Sequence, residues 1–266
     1  MKKDIHNQDV ITLDEPTHQY KVDSAPHLRY TSVTTFIGEF FGEFDADGIA
    51  EKLAANTTGK YGTKTKEQIL AGWTAIADRG TAVHNELENY LDAWRDNLNM
   101  PTLIDTKAKH GQMWIEEMFE SHYIPYTEVK VYSNQYQLAG TVDLLLYNPD
   151  SDRWVMADWK TNAKIDTSSW GGKKGVHYAT RLLDDCKLNK YALQMSLYQY
   201  LLESEYGIKI DGRYLVHLLP KQTMKFPLGV KTFETEYLKP NVEKMLEDRL
   251  DKKHRGELFF NPIHEL

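Results

Sequence analysis

One stretch constrains this chain more than any other: GTVDLLLYNPDSDRWVMADWKTN, Gly140 to Asn162. It reads as two strands joined by a turn. Val142, Leu144 and Leu146 alternate with Asp143 and Leu145. The run Asn148-Pro149-Asp150-Ser151-Asp152 carries turn residues, and a second apolar run, Trp154 to Ala157, ends in Asp158-Trp159-Lys160. Residues i and i+2 of a strand share a face, so Asp158 and Lys160 point one way and Trp159 the other. An acid and a lysine closing an apolar strand, with another acid inside the strand before it, is costly. Charged groups are rarely buried unless paired or bound to metal. A cross-strand ion pair explains Asp158 and Lys160 taken alone; a metal site explains all three charges.

The chain has 266 residues, enough for one large domain or two small ones. No apolar run approaches the ~20 residues that span a bilayer, and MKKDIHNQDVITLDE lacks the apolar segment of a signal peptide. A membrane role is not expected, and a cytoplasmic location, in a bacterial or phage-infected cell, is. Cys186 is the only cysteine, which excludes an intrachain disulfide framework and a cysteine-ligated iron–sulfur cluster. The net charge of −7 argues against a general nucleic-acid coat protein but leaves room for a local basic groove.

Taken in order, Val10–Leu13 and Gln19–Val22 read as strands about a Glu15-Pro16 turn, and Ser32 as the N-cap of a helix. Phe36, Phe40, Phe41 and Phe44 read as core, with a base-stacking surface as the alternative. Helices are predicted over 45–57, 65–77 and, after a break at Arg79-Gly80-Thr81, over the stripe Val83, Leu87, Tyr90, Leu91 and Trp94. A helix at 107–122 leads to a strand at 127–132, which completes an antiparallel meander with the opening stretch. Residues 162–187 are polar with a Gly-rich centre and predict a mobile loop. A helix at 188–206 ended by Gly207, a strand at 212–219, a strand within 225–233 and a helix at 237–254 follow. With no repeat or linker, one α/β domain is expected: N-terminal strands and helices at 1–78, a core at 79–219 and a C-terminal strand and helix at 220–266.

Four features line up along the chain. They are Gly80-Thr81-Ala82-Val83-His84, Gly140-Thr141-Val142-Asp143, Asp158-Trp159-Lys160, and Gln194 with Tyr198 one helical turn on. Each alone is ordinary. Together they resemble the PD-(D/E)XK nuclease superfamily, and within it the RecB/Cas4-type domains, which carry G-x-x-H, G-x-x-D, D/E-x-K and Q-x-x-x-Y in this order. Tyr30-Thr31-Ser32-Val33-Thr34-Thr35 is similar to a segment of the mitochondrial genome maintenance exonuclease and its phage relatives. The chain departs from Cas4-type members in lacking their four cluster cysteines. The resemblance implies a restriction-endonuclease-like α/β core, a mixed central sheet flanked by helices, with a helical N-terminal elaboration.

Phosphodiester hydrolysis needs a nucleophilic water in line with the leaving oxygen and charge neutralisation at phosphate, which Mg²⁺ or Mn²⁺ supplies. The resemblance implies His84, Asp143, Asp158 and the Trp159 backbone carbonyl as metal ligands; imidazole suits Mn²⁺ better than Mg²⁺. Lys160 is expected to orient the water, Gln194 and Tyr198 to hold Lys160 or a phosphate, and Glu88 to orient His84. Lys164, Lys173, Lys174, Arg181, Lys187 and Lys190, interleaved with Trp170 and Tyr178, are candidates for tracking a DNA strand, against the alternative of a merely solvated loop. The expected activity is a DNA exonuclease acting on single strands or free ends in replication, recombination or repair. A structure- or sequence-specific endonuclease, an RNA or nucleotide hydrolase, and a non-hydrolytic nucleic-acid-binding module are the alternatives.

Overall fold

The fold is described from a computed structural model over residues 3–7, 10–14, 17 and 19–256. The Glu15-Pro16 turn and the tail from residue 257 lie outside the described residues.

A six-stranded mixed sheet forms the centre. Strands β4 (Ile124–Ser133), β5 (Leu138–Asn148) and β6 (Arg153–Lys160) make the expected antiparallel meander; β7 (Ile210–Leu218) runs parallel to β6 and antiparallel to β8 (Val230–Glu234). A two-residue strand β3 (Thr31–Ser32), not anticipated from the sequence, lies parallel to the start of β5. Strands β1 (Ile11–Asp14) and β2 (Gln19–Val22) pair separately. The turn between β5 and β6 is closed by Asn148, whose Oδ1 accepts from Ser151 N at 3.0 Å.

Helices cover both faces. On one, α1 (Val33–Gly38), α5 (Lys187–Leu201) and α6 (Lys239–His254) bury Phe36, Leu193, Leu197 and Met245 against Leu145, Met156 and Leu215. On the other, α3 (Lys66–Arg95) and α4 (Thr106–Glu120) bury Leu87, Leu91 and Ile115 against Leu144, Leu146 and Val216. The short α2 (Ala46–Ala55) precedes α3. A π-helical turn, Leu202–Tyr206, extends α5 to Gly207, whose φ of 77° suits glycine. Among the described residues, no helix is long and apolar enough to cross a membrane.

Four expectations need correction. Helix α3 is continuous for 30 residues. Gly80 does not break it, because one glycine costs only about 1 kcal/mol in a helix interior and a Cβ there would stand 2.9 Å from Thr161 Oγ1. Glycine at 80 serves close packing of α3 against the end of β6. Phe36, Phe40 and Phe41 are core, but Phe44 is 68% exposed and its ring lies 6.1 Å from that of Trp73. Val142 packs on the α5 face with Leu145, while Leu144 and Leu146 pack on the α3 face, so the strand alternation slips by one residue at Asp143. The fourth concerns residues 162–187, which are tied down. Thr180 is fully buried and donates to Phe40 O at 2.8 Å, Val176 N donates to the same carbonyl, and Asp185 N donates to Lys173 O.

Candidate active site

The position of the site follows from how β5 changes neighbours. Beside Leu138 and Ala139 it pairs with β3; from Leu144 to Asn148 it pairs with β6. Between these, residues 140–143 have neither neighbour on that edge. Gly140, Thr141 and Asp143 line the resulting cleft of about 890 Å³, whose other walls are α3 through His84 and Glu88, β4 through Glu128 and Lys130, and α5 through Gln194 and Tyr198. Beyond the last pair, Leu144 with Ala157, the two strands are joined by a side chain: Trp159 N donates to Asp143 Oδ2 at 2.9 Å.

His84 Nδ1 lies 3.4 Å from Asp143 Oδ2. Glu128 joins them, so that one ligand atom from each of His84, Glu128 and Asp143 lies within 4.8 Å of the others. Glu128 falls outside the motifs of the sequence, whose expected meander pairs its strand with the opening stretch but sets no register. The pairs Thr127–Leu144 and Val129–Val142 place it directly opposite Asp143. Its φ of 45° is left-handed, a strained state for a non-glycine residue in a strand. The meander register was the available signal: it carries Glu128 to the G-x-x-D acid.

Asp158 lies outside that group of three. It is 3% exposed, and the Lys160 ammonium stands against its Oδ2. Among the described residues, no well-directed hydrogen bond reaches this oxygen. The face expected for the pair is observed: Trp159 turns to the opposite side and packs edge-on against Trp114 at 5.5 Å. Lys160 Nζ also sits 4.3 Å from the centre of the Tyr191 ring, and Tyr191 Oη donates to Asn162 Oδ1 at 2.8 Å. Tyr191 thus holds the lysine where Gln194 and Tyr198 were expected to. Gln194 Nε2 instead donates to Tyr198 Oη at 3.5 Å.

The electrostatics are those of an overcrowded acidic site. Burial, then Asp143 and Glu88, push the Glu128 carboxyl up to about 8. Burial, then Asp143, raise Asp158 to about 6 against the opposing pull of Lys160. Burial lowers the Lys160 ammonium, but Asp158 and Asp143 outweigh it and hold the group above its ordinary value. Four carboxyl groups, Glu88, Glu128, Asp143 and Asp158, outnumber the Lys130 and Lys160 ammonium groups here, a crowding that a divalent cation relieves. The donors fit such an ion: carboxylate oxygens suit Mg²⁺ and Mn²⁺, and the imidazole of His84 inclines the set to Mn²⁺.

The basic segment is not brought to this cleft. Lys164 pairs with Asp166 at 2.8 Å, Lys190 with Asp185 at 2.7 Å, and Lys174 with Asp184. Lys187 Nζ donates to Lys164 O at 3.4 Å, while Lys173 and Arg181 are exposed. Lys164, Lys187 and Lys190 border a separate cavity of about 550 Å³ beside the exposed Trp170. Among the described residues lining the active cleft, the one lysine is Lys130.

The model of the PD-(D/E)XK nuclease superfamily matches residues 59–264, more than three quarters of the chain. No curated protein matches the sequence.

Proposed function

The chain belongs to the PD-(D/E)XK nuclease superfamily, and from that premise we propose that it is a divalent-metal-dependent DNA exonuclease preferring single strands or free ends. The observation that carries the reading is that His84 of α3 and Asp143 of β5 lie 3.4 Å apart in the cleft beside residues 140–143, with the Asp158–Lys160 pair at the end of β6 linked to Asp143 through the Trp159 N–H. The exonuclease assignment is supported by the likeness of Tyr30–Thr35 to the mitochondrial genome maintenance exonuclease and its phage relatives. That segment holds β3 and the cap of α1, and Ser32, Val33 and Thr34 line the cleft.

In this reading the whole chain is one nuclease domain. His84, Asp143, Asp158 and the Trp159 carbonyl hold Mg²⁺ or Mn²⁺, with Glu128 as a further carboxylate. The ion supplies charge neutralisation at phosphate and an acidified water. Asp143 is fixed by the Trp159 N–H. Lys160, kept charged by Asp158 and steadied over Tyr191, orients the attacking water and stabilises charge on the phosphate. Gln194 and Tyr198 line the wall where a phosphate docks.

The test compares linear single-stranded DNA with a covalently closed circle of the same sequence, incubated with the chain in Mn²⁺. Loss of the linear strand with survival of the circle is expected. Cutting of the circle establishes an endonuclease instead, and binding without cleavage of either establishes a non-hydrolytic module.

A further inference from the structure

The cleft has a second wall that the chemistry above leaves unused. Phe44 and Ile76 are 68% and 61% exposed, and with the half-buried Trp73 they line the same cavity as His84 and Asp143. Phe44 comes from the loop before α2, while Trp73 and Ile76 come from the first half of α3. Two separate segments therefore converge on one exposed apolar surface, with the Phe44 and Trp73 rings tilted at 49°. Trp73, Ile76, Gly80 and His84 follow i, i+3, i+7 and i+11 along α3, so the wall and the candidate metal site lie on one helical stripe. At 1.5 Å per residue, Trp73 stands roughly 16 Å along the axis from His84, the span of a few nucleotides.

We propose that Phe44, Trp73 and Ile76 form a stacking wall for unpaired bases of the strand whose phosphate lies at Asp143 and Asp158. The inference rests on the nuclease reading and specifies how that site selects its substrate. Charge supports bases over backbone as the occupant. Glu88 and Glu128 line the cleft, Glu43 and Asp45 flank Phe44 in sequence, and Lys130 is the one lysine among the lining residues described. Phosphate contacts from the residues that line the cleft therefore offer little binding, whereas stacking on aromatic rings is available to any base. The faces of paired bases are already covered within a duplex, so such a wall favours unpaired nucleotides.

The experiment measures binding by fluorescence anisotropy in EDTA, where no cleavage occurs, with the full chain. The probes are labelled dT20, an abasic strand of equal length, and a blunt duplex. Phe44→Ala is expected to weaken dT20 binding about five-fold or more and Ile76→Ala, which removes an apolar contact rather than a stacking ring, by a smaller but measurable factor, with Phe44→Trp retaining it. The wild type is expected to bind the abasic strand at least as poorly as Phe44→Ala binds dT20. Unchanged dT20 affinity in Phe44→Ala overturns the proposal, and so does an equal loss for the abasic strand. Should Phe44→Ala fail to fold, Ile76→Ala and Phe44→Trp decide by the same criteria. The underlying nuclease reading is tested apart, by Mn²⁺-dependent hydrolysis of bis(4-nitrophenyl) phosphate by the wild type. Hydrolysis together with unchanged dT20 binding in the wall variants overturns the wall alone.

Discussion

Gly140 and Tyr198 pack as one unit: a Cβ at 140 would stand 2.6 Å from Tyr198 Cε1 and 2.9 Å from Tyr198 Oη. Two motifs nearly sixty residues apart are thus coupled through a side chain that position 140 must lack. Gly140→Ala is expected to lose about 1–3 kcal/mol, the usual cost of overpacking. Tyr198→Ala should remove most of that added penalty, so a double-mutant cycle read by urea unfolding should give a favourable coupling of about 1 kcal/mol or more. Purely additive losses would show that the two residues do not act together.

Lys160 stabilises a buried Asp158. Lys160→Met is expected to cost about 3 kcal/mol at neutral pH, the scale for stranding one member of a buried pair, and to lower cleavage at least about 10²-fold. The stability loss should shrink as pH falls through about 6, where Asp158 takes up its proton. Joint replacement with Asp158→Asn should recover much of the stability and none of the activity. Thermal melts at two pH values and a cleavage time course check both halves.

The pH dependence of the metal-free protein carries a definite sign. Glu128 titrates near 8 in the folded chain against an ordinary value of 4.5, so the folded state holds the extra proton between these values. Stability therefore falls as pH rises from about 4.5 to about 8. Asp158, raised from 3.8 to about 6, acts in the same direction over the lower part of that window. Melting temperatures in EDTA should decline through the window, Glu128→Gln should flatten the decline, and millimolar Mn²⁺ should oppose it. A melting temperature that rises with pH would contradict the crowded-carboxylate account.

Arg249 is 2% exposed and donates to Tyr136 O, to Gln137 O at 2.9 Å and to Thr31 Oγ1 at 2.9 Å, clamping α6 onto β3 and the β4–β5 connection. Burial lowers its guanidinium to about 10. Arg249→Met is expected to cost about 2–4 kcal/mol by leaving these acceptors unpaired, measurable by chemical denaturation.

How much of this was legible in the sequence depended on whether a signal was local. The β4–β5–β6 meander is legible from alternation and turn residues, and the end of the α5 helix from Gly207. The opposite faces of Trp159 and Lys160 followed from strand geometry. Glu128 was missed because its role depends on which residue faces it across two strands. Tyr191 falls outside the four motifs, and its contact with Lys160 is tertiary. Gly80 was misread as a helix break because the reason for a glycine there, Thr161, lies eighty residues on. Phe44 looked like core because hydrophobicity does not reveal which aromatic residue is left on the surface.

The most direct test is release of label from end-labelled linear single-stranded DNA in Mn²⁺, wild type against Asp143→Asn and Asp158→Ala, each first shown to be folded. The account predicts metal-dependent release by the wild type and a loss of about 10³-fold or more in both variants. Wild-type rates in either variant would contradict the site, and its dependence on these two carboxylates.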